Sequence, residues 1–435
     1  MSYQNIEEYF TQFNDNAETI VVIFISDHLP DLSRFCKLKK LTCQHNNLTY
    51  LPSLPSTLEI LHCSDNKLTR LPLLPSTLKE LCCSENKLTH LPSLPSSLEN
   101  LECNHNQLVC LPPLPLSLKI MSCWNNKLTH LPLLPSSLAK MTCHNNKLTH
   151  LPPLPSELKE LYCVDNELTC LPPLPSILEN LECDRNQLTC LPPLPSSLEN
   201  LECNYNKLTS LPPLPSSLKT LRCYNNQLTC LPLLPDTLKD FDCHDNILTH
   251  LPPLPSSFKV LFCYNNNLSC LPLLPSSLKI LFCYNNNLSC LPPLPSCLTK
   301  LNCKNNQLTC LPSLPSSLKT LVCHNNQLTC LPALPSYLEE IHCYNNLFLD
   351  CYVKRENYLF MSDYIAKLRN QINIINQFRE LFYALKYKKK FQQLLWVRIR
   401  EPKIRNKYHP NNLIAMLEGK EDMTLDKLDE LLDEW

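Results

Sequence analysis

Cysteine and histidine offer the most chemistry in this 435-residue chain, which carries 28 cysteines and 13 histidines. One cysteine recurs at positions 43, 63, 83 and every twentieth residue to Cys343, sixteen times in all. A second column mixes His130, His150, Cys170 and Cys190 with Cys270, Cys290, Cys310 and Cys330. Such numbers invite zinc, yet tetrahedral zinc needs four donors each within about 2.3 Å of one point. No repeat holds a C-x-x-C pair, Cys82 and Cys83 are merely adjacent, and a straight column cannot converge on a point. The first column is therefore expected to act as small apolar core residues. Neighbours in the second could bridge only on oxidation. No histidine pairs by spacing with a single nucleophile, so no catalytic, metal or cofactor residues are assigned, and the chain is expected not to be an enzyme.

Recognition chemistry is better represented. Between the cysteines, one outward column reads Glu102, Glu182 and Glu202, with Asp184 nearby, and farther on Phe262 and Phe282, flanked by Tyr224, Tyr264, Tyr284 and Tyr344. Adjacent exposed aromatic rings on a sheet form an amphipathic patch of the kind interfaces use. Residues 262–270 and 282–290 are nearly identical, so copying of one repeat into the next accounts for the same pattern equally well. These ten residues are the candidate partner-binding set.

The elements that must position them follow from a strict twenty-residue period between Leu41 and Asp350, free of insertions and deletions. The unit Leu58-Glu-Ile-Leu61-His-Cys63-Ser-Asp-Asn66-Lys-Leu68-Thr-Arg-Leu71-Pro72-Leu-Leu74-Pro75 shows the pattern L-x-x-L-x-L-x-x-N-x-L, with cysteine in the third apolar slot. A short strand over 60–64 alternates faces, so Leu61 and Cys63 point inward while Ile60, His62 and Ser64 point outward. The asparagine amide can satisfy backbone groups of adjacent turns inside the coil. Stacked at about 4.8 Å, sixteen such strands make a parallel sheet with an arc of roughly 75 Å. The Leu-Pro-x-Leu-Pro return cannot be helical, because proline blocks interior helical bonding, and should run extended or polyproline-like. The fold class expected is an α/β leucine-rich repeat solenoid with strands on its concave face.

Composition narrows the function further. A single glycine, Gly419, leaves no Walker loop, dinucleotide fingerprint or glycine-flanked nucleophile elbow. The net charge is −1, so no global field draws the chain to nucleic acid or anionic membrane. The longest apolar run, Ile20 to Ile25, is far short of a bilayer span, and Met1 to Glu18 carries acids but no lysine or arginine, unlike a signal peptide. The expected address is a reducing cytoplasm, with the cysteines as thiols.

Three segments result: an N-terminal cap and irregular first repeat over 1–40, the repeats over 41–350, and a helical C-terminal region over 351–435. In the first, Ile6, Tyr9, Phe10 and Phe13 keep helical spacing and Ile20 to Ile25 reads as a strand. In the last, Leu368, Ile372, Ile375, Phe378, Leu381, Phe382 and Leu385 keep it over nearly five turns; shorter helices are expected at 391–399, at 410–418 and after Thr424. Lys386 to Lys407 holds nine basic residues against one acid, and the chain beyond Asn411 holds eight acids against two lysines. Solvated helix faces that pair with one another explain this; contact of 386–407 with nucleic acid or acidic membrane is the alternative.

Twenty-residue units with a Leu-Pro-x-Leu-Pro return resemble the short-repeat effectors of bacterial pathogens, the YopM and IpaH kind. Cysteine in the third slot, the opening Leu29-Pro-Asp-Leu-Ser-Arg-Phe35 and the tail Leu395-Trp-Val-Arg-Ile-Arg-Glu-Pro-Lys-Ile404 resemble leucine-rich repeat proteins of giant amoeba viruses of the Mimivirus type. The resemblance implies a non-enzymatic scaffold that binds a protein partner through its concave face. An adaptor whose basic C-terminal helices meet nucleic acid or membrane is the alternative, and a ubiquitin-ligase adaptor a weaker one. Ligase effectors append a large catalytic domain, and the 85 residues after Asp350 are too few for one.

Overall fold

The computed structural model describes residues 5–23, 26–348 and 361–395. The chain begins with a short helix α1 (Ile6–Phe10), capped by the Asn5 side chain, which accepts from the Glu8 N–H at 2.8 Å. Strand β1 (Thr19–Val21) follows, shorter than the apolar run of the sequence suggested; Val22 and Ile23 lie outside it, and residues 24–25 lie outside the described set. From β2 (Lys40–Thr42) to β17 (Glu340–His342) one three-residue strand recurs at every twentieth position. Successive strands pair in parallel from β1 onward, making a 17-stranded sheet with no shift in register.

Burial sets this arrangement. In β3 (Ile60–His62) Leu61 is buried between two half-buried neighbours, and Cys63 just beyond is buried as well. The buried leucines of each turn thus face apolar side chains of the turns above and below, at roughly 1.5–3 kcal/mol per buried side chain. Asparagine closes the polar side of the interior. The Asn66 amide donates to the carbonyls of Cys43 (2.9 Å) and Cys63 (3.1 Å), and its oxygen accepts from the Leu48 N–H (2.9 Å). The same set recurs up to Asn346. The return path carries no helix or strand, as its prolines require. Hydroxyls staple it from turn to turn, as when Ser97 Oγ donates to the Leu78 carbonyl at 2.6 Å.

One backbone demand was not foreseen from the near-absence of glycine. Sixteen residues, from His45 to Asn345 at every twentieth position, hold φ between 49° and 57°. Eleven are asparagine or aspartate, which enter the left-handed region at low cost; His45, Glu85, His105, Arg185 and Tyr205 are the other five.

Two compact units divide the chain, 1–365 and 366–435. Within the first, Tyr9, Phe10, Ile20, Leu32 and Phe35 bury the leading end of the sheet, and Tyr9 Oη donates to the Val21 carbonyl at 2.7 Å. At the trailing end Tyr364 Oη lies 3.5 Å from Cys343 Sγ, both groups buried. The helix α2 (Met361–Leu395) runs across the boundary between the units, and Leu368 and Ile372 on it are buried. The helices expected at 410–418 and after Thr424 lie outside the described residues, as does 391–399 beyond Leu395.

Candidate functional site

Each turn presents three outward side chains, two from the strand and one just after it. Parallel pairing without slippage lines them into columns whose members lie one strand apart, about 4.8 Å. In the middle of the sheet, β9 (Asn180–Glu182) sets Glu182 beside Glu202 of β10 (Asn200–Glu202), with Asp184 just beyond. Asp184 Oδ1 accepts from the Asn204 N–H at 2.6 Å. Burial pushes its carboxyl up to about 7, against the help of that hydrogen bond, and the charges of Glu202 and Glu182 add to the rise. Burial and Glu202 likewise raise Glu182. Arg222 offsets part of this charge, reaching Glu202 at 3.1 Å and Asp240 at 2.7 Å.

Aromatic rings take over on the next turns. Tyr224 and His244 stack with centroids 4.3 Å apart, as do His244 with Tyr264 and Tyr264 with Tyr284. This spacing follows from the strand repeat, which holds flat rings of one column nearly in contact. The Lys304 ammonium ends the row, 5.0 Å from the Tyr284 ring centre. In the adjacent column Phe262 of β13 (Val260–Phe262) meets Phe282 of β14 (Ile280–Phe282) at 5.4 Å. A depression of about 320 Å³ lies over Phe262, Tyr264, Phe282 and Tyr284, and a second of about 390 Å³ over Tyr224, Arg222 and His244; Phe262 and Asp242 line both.

The structure thus brings together Tyr224, Phe262, Tyr264, Phe282 and Tyr284, and separately Glu182, Asp184 and Glu202. Phe262 and Phe282 are half-buried by their neighbours, where the sequence suggested rings fully exposed. Glu102, at the end of β5 (Asn100–Glu102), stands four strand spacings from Glu182, about 19 Å, and belongs to neither group. Tyr344 stacks on His324 at 4.2 Å, beyond Lys304, as a separate pair. His244, Lys304, Arg222 and Asp242 were missed, although His244 occupies the same repeat position as Tyr224 and Tyr264, and reading that column by position would have found it. Of the basic stretch 386–407, residues to 395 are described; Lys388 and Lys390 there are exposed.

Thiol chemistry divides as expected. The sixteen-membered column is buried, and burial pushes Cys43, Cys123 and Cys303 up to about 12. Cys170, Cys190, Cys270, Cys290 and Cys310 are exposed thiols. A different group escapes any search by spacing. His62 Nε2 lies 2.8 Å from Glu80 Oε1, and Cys82 Sγ lies 3.8 Å from the same oxygen, on adjacent strands β3 and β4 (Glu80–Cys82). Burial, then the charges of Glu102 and Glu80, raise the Cys82 thiol, so it is not an activated nucleophile.

No protein-family model and no curated protein matches the chain. Among solved structures it is similar to YopM of Yersinia pestis, with 40% identity over 69% of this chain and 88% of that one, and a TM-score of 0.61. YopM from Yersinia enterocolitica WA-314 shares 32% identity over 76% of this chain and 88% of that one, with a TM-score of 0.60. The functional domain of InlJ from Listeria monocytogenes, described as including a cysteine ladder, shares 27% identity over 64% of this chain and 65% of that one, with a TM-score of 0.53.

Proposed function

Because the chain belongs to the leucine-rich repeat family of the YopM proteins, we propose that it is a non-enzymatic scaffold that holds a protein partner against the concave face of its sheet. The observation that carries this is the stacked row Tyr224–His244–Tyr264–Tyr284 with Phe262 and Phe282 beside it. Rings of this size bury much area with few rotatable bonds, which is why they anchor interfaces. The row gives the partner an apolar seat, and the acids at Glu182, Asp184 and Glu202 a few turns away favour basic groups on the same partner. YopM is itself a leucine-rich effector protein, in keeping with a scaffold role. A cytoplasmic setting fits the thiols, and among the described residues no helix is long and apolar enough to cross a membrane. A resemblance to giant amoeba virus proteins is carried by the third-slot cysteine and the end motifs Leu29–Phe35 and Leu395–Ile404 alone.

The test is the double variant Phe262→Ser with Phe282→Ser, set beside Lys207→Ala as a surface control. Partners captured reproducibly by the parent chain and by the control should be lost from the double variant while its circular dichroism stays that of the parent. Unchanged capture by a folded double variant would move the search to the acidic turns.

A further inference from the structure

Four outward groups on three consecutive strands share one point of the sheet far from the aromatic row: His62 on β3, Glu80 and Cys82 on β4, and Glu102 on β5. Strand pairing sets His62 beside Cys82 and Cys82 beside Glu102. The Nε2 of His62, a carboxylate oxygen of Glu80 and the Sγ of Cys82 all lie within 4.8 Å of one another, and each residue is half-buried. We propose that these residues form a binding site for a single divalent transition-metal ion of zinc type, with His62, Glu80 and Cys82 as ligands and Glu102 or water completing the tetrahedron.

The donor geometry suits such an ion. Zinc bonds of about 2.0–2.1 Å to nitrogen and oxygen and 2.3 Å to sulfur give a tetrahedron with edges of about 3.3–3.6 Å. The separations of 2.8 Å between His62 and Glu80 and 3.8 Å between Glu80 and Cys82 bracket those edges. The donor chemistry agrees: one imidazole, one thiol and carboxylates form a borderline set that favours zinc over magnesium or calcium. Straight columns could not supply this convergence; here two residues of one strand meet a residue from each flanking strand.

Repeat copying does not account for the cysteine. Cys82 is the one cysteine among the sixteen residues of its outward column, from Thr42 to His342, whereas cysteine fills every place in the neighbouring buried column. Burial, and then the carboxylates of Glu102 and Glu80, keep the Cys82 thiol protonated. A divalent cation reverses that balance: the Cys82 S–H gives up its proton to solvent, the thiolate and carboxylates bind the metal, and one proton is released per ion. No redox step is involved. Since all four groups sit on the outer face, the metal would add to a sheet already held by its leucines and asparagines and would not be needed for folding.

The experiment uses the full reduced chain after stripping with chelator and titrates it with cobalt(II), then displaces the cobalt with zinc. The expected result is one equivalent of cobalt with the visible bands of a tetrahedral site and a thiolate charge-transfer band, both erased by zinc. Cys82→Ser should abolish the charge-transfer band, and His62→Gln should weaken zinc by at least about tenfold, the loss seen even for residues that only support a metal ligand. Cys270→Ser with Cys290→Ser should leave all of this unchanged. The variants should melt with the parent when metal is absent; if Cys82→Ser does not, Glu80→Gln with the same loss of zinc affinity decides the matter. A parent chain without tetrahedral bands would overturn the site, as would bands that survive Cys82→Ser or vanish with the Cys270 and Cys290 substitutions.

Discussion

Cys183 and Glu182 are bonded neighbours, yet they belong to regions under opposite rules. Cys183 lies in a column that is cysteine in all sixteen turns and is wholly buried there. Glu182 lies in a column that runs through threonine, histidine, cysteine, glutamate, tyrosine, arginine and phenylalanine. The interior admits only apolar side chains, cysteine throughout one column and leucine with Met121, Met141, Phe241 and Ile341 in the next, because every turn must fit the turn before and after it. Outward residues meet only their column neighbours and water, so they can differ from turn to turn. Specific chemistry in a repeat protein therefore collects on the outer columns, in places where a few consecutive turns depart from the common pattern together.

Reactivity gives the widest separation between the two regions. Cys123, buried and pushed up to about 12, should label with a soluble thiol reagent far more slowly than exposed Cys110, since burial both disfavours its thiolate and shields it from the reagent. Mass spectrometry of labelled peptides checks this. Comparable rates would mean that the interior opens readily.

Next in size is the asparagine column. Asn186 donates to the carbonyls of Cys163, Cys183 and Asp184 and accepts from the Leu168 N–H. Asn186→Ala leaves these buried groups without partners and should cost about 1–3 kcal/mol in denaturant unfolding, against about 0.5 kcal/mol or less for Lys207→Ala on the surface. Equal losses would erase the distinction between inside and outside on which the comparison rests.

A pH-dependent effect lies at the border of the regions. Asp184 is raised in the folded chain from its ordinary 3.8 to about 7, so between those values the folded state keeps a proton that the unfolded state has lost. Its contribution to stability is largest below about pH 4 and declines as pH rises toward 7. Asp184→Asn should flatten the stability profile across that window, measured by unfolding at a series of pH values. A parallel shift of the whole profile would place the titration elsewhere.

The smallest change belongs to the aromatic columns. Phe262→Ser with Phe282→Ser removes half-buried rings that touch each other at 5.4 Å. The double variant should lose about 1 kcal/mol of stability, well short of a core deletion. A loss on the core scale would move these rings from recognition into the scaffold.

The twenty-residue period, the inward leucines and cysteines, the bonding asparagines and the non-helical return were all legible in the sequence. Each is a local pattern repeated many times, and burial leaves only one way to satisfy it. Proline content determined the return path, because a ring without an N–H cannot continue a helix. The sequence did not reveal that every turn needs a residue at positive φ, since the usual marker, glycine, is absent and asparagine or aspartate stands in its place. The twenty-residue period places outward residues in columns, and the tertiary structure decided how closely they meet. Strand pairing put His244 between Tyr224 and Tyr264, left Glu102 about 19 Å from Glu182 in its column, and set that same glutamate beside Cys82. Contacts of this kind join residues eighteen or twenty positions apart, and spacing along one strand carries no record of them; they exist only once the turns are stacked.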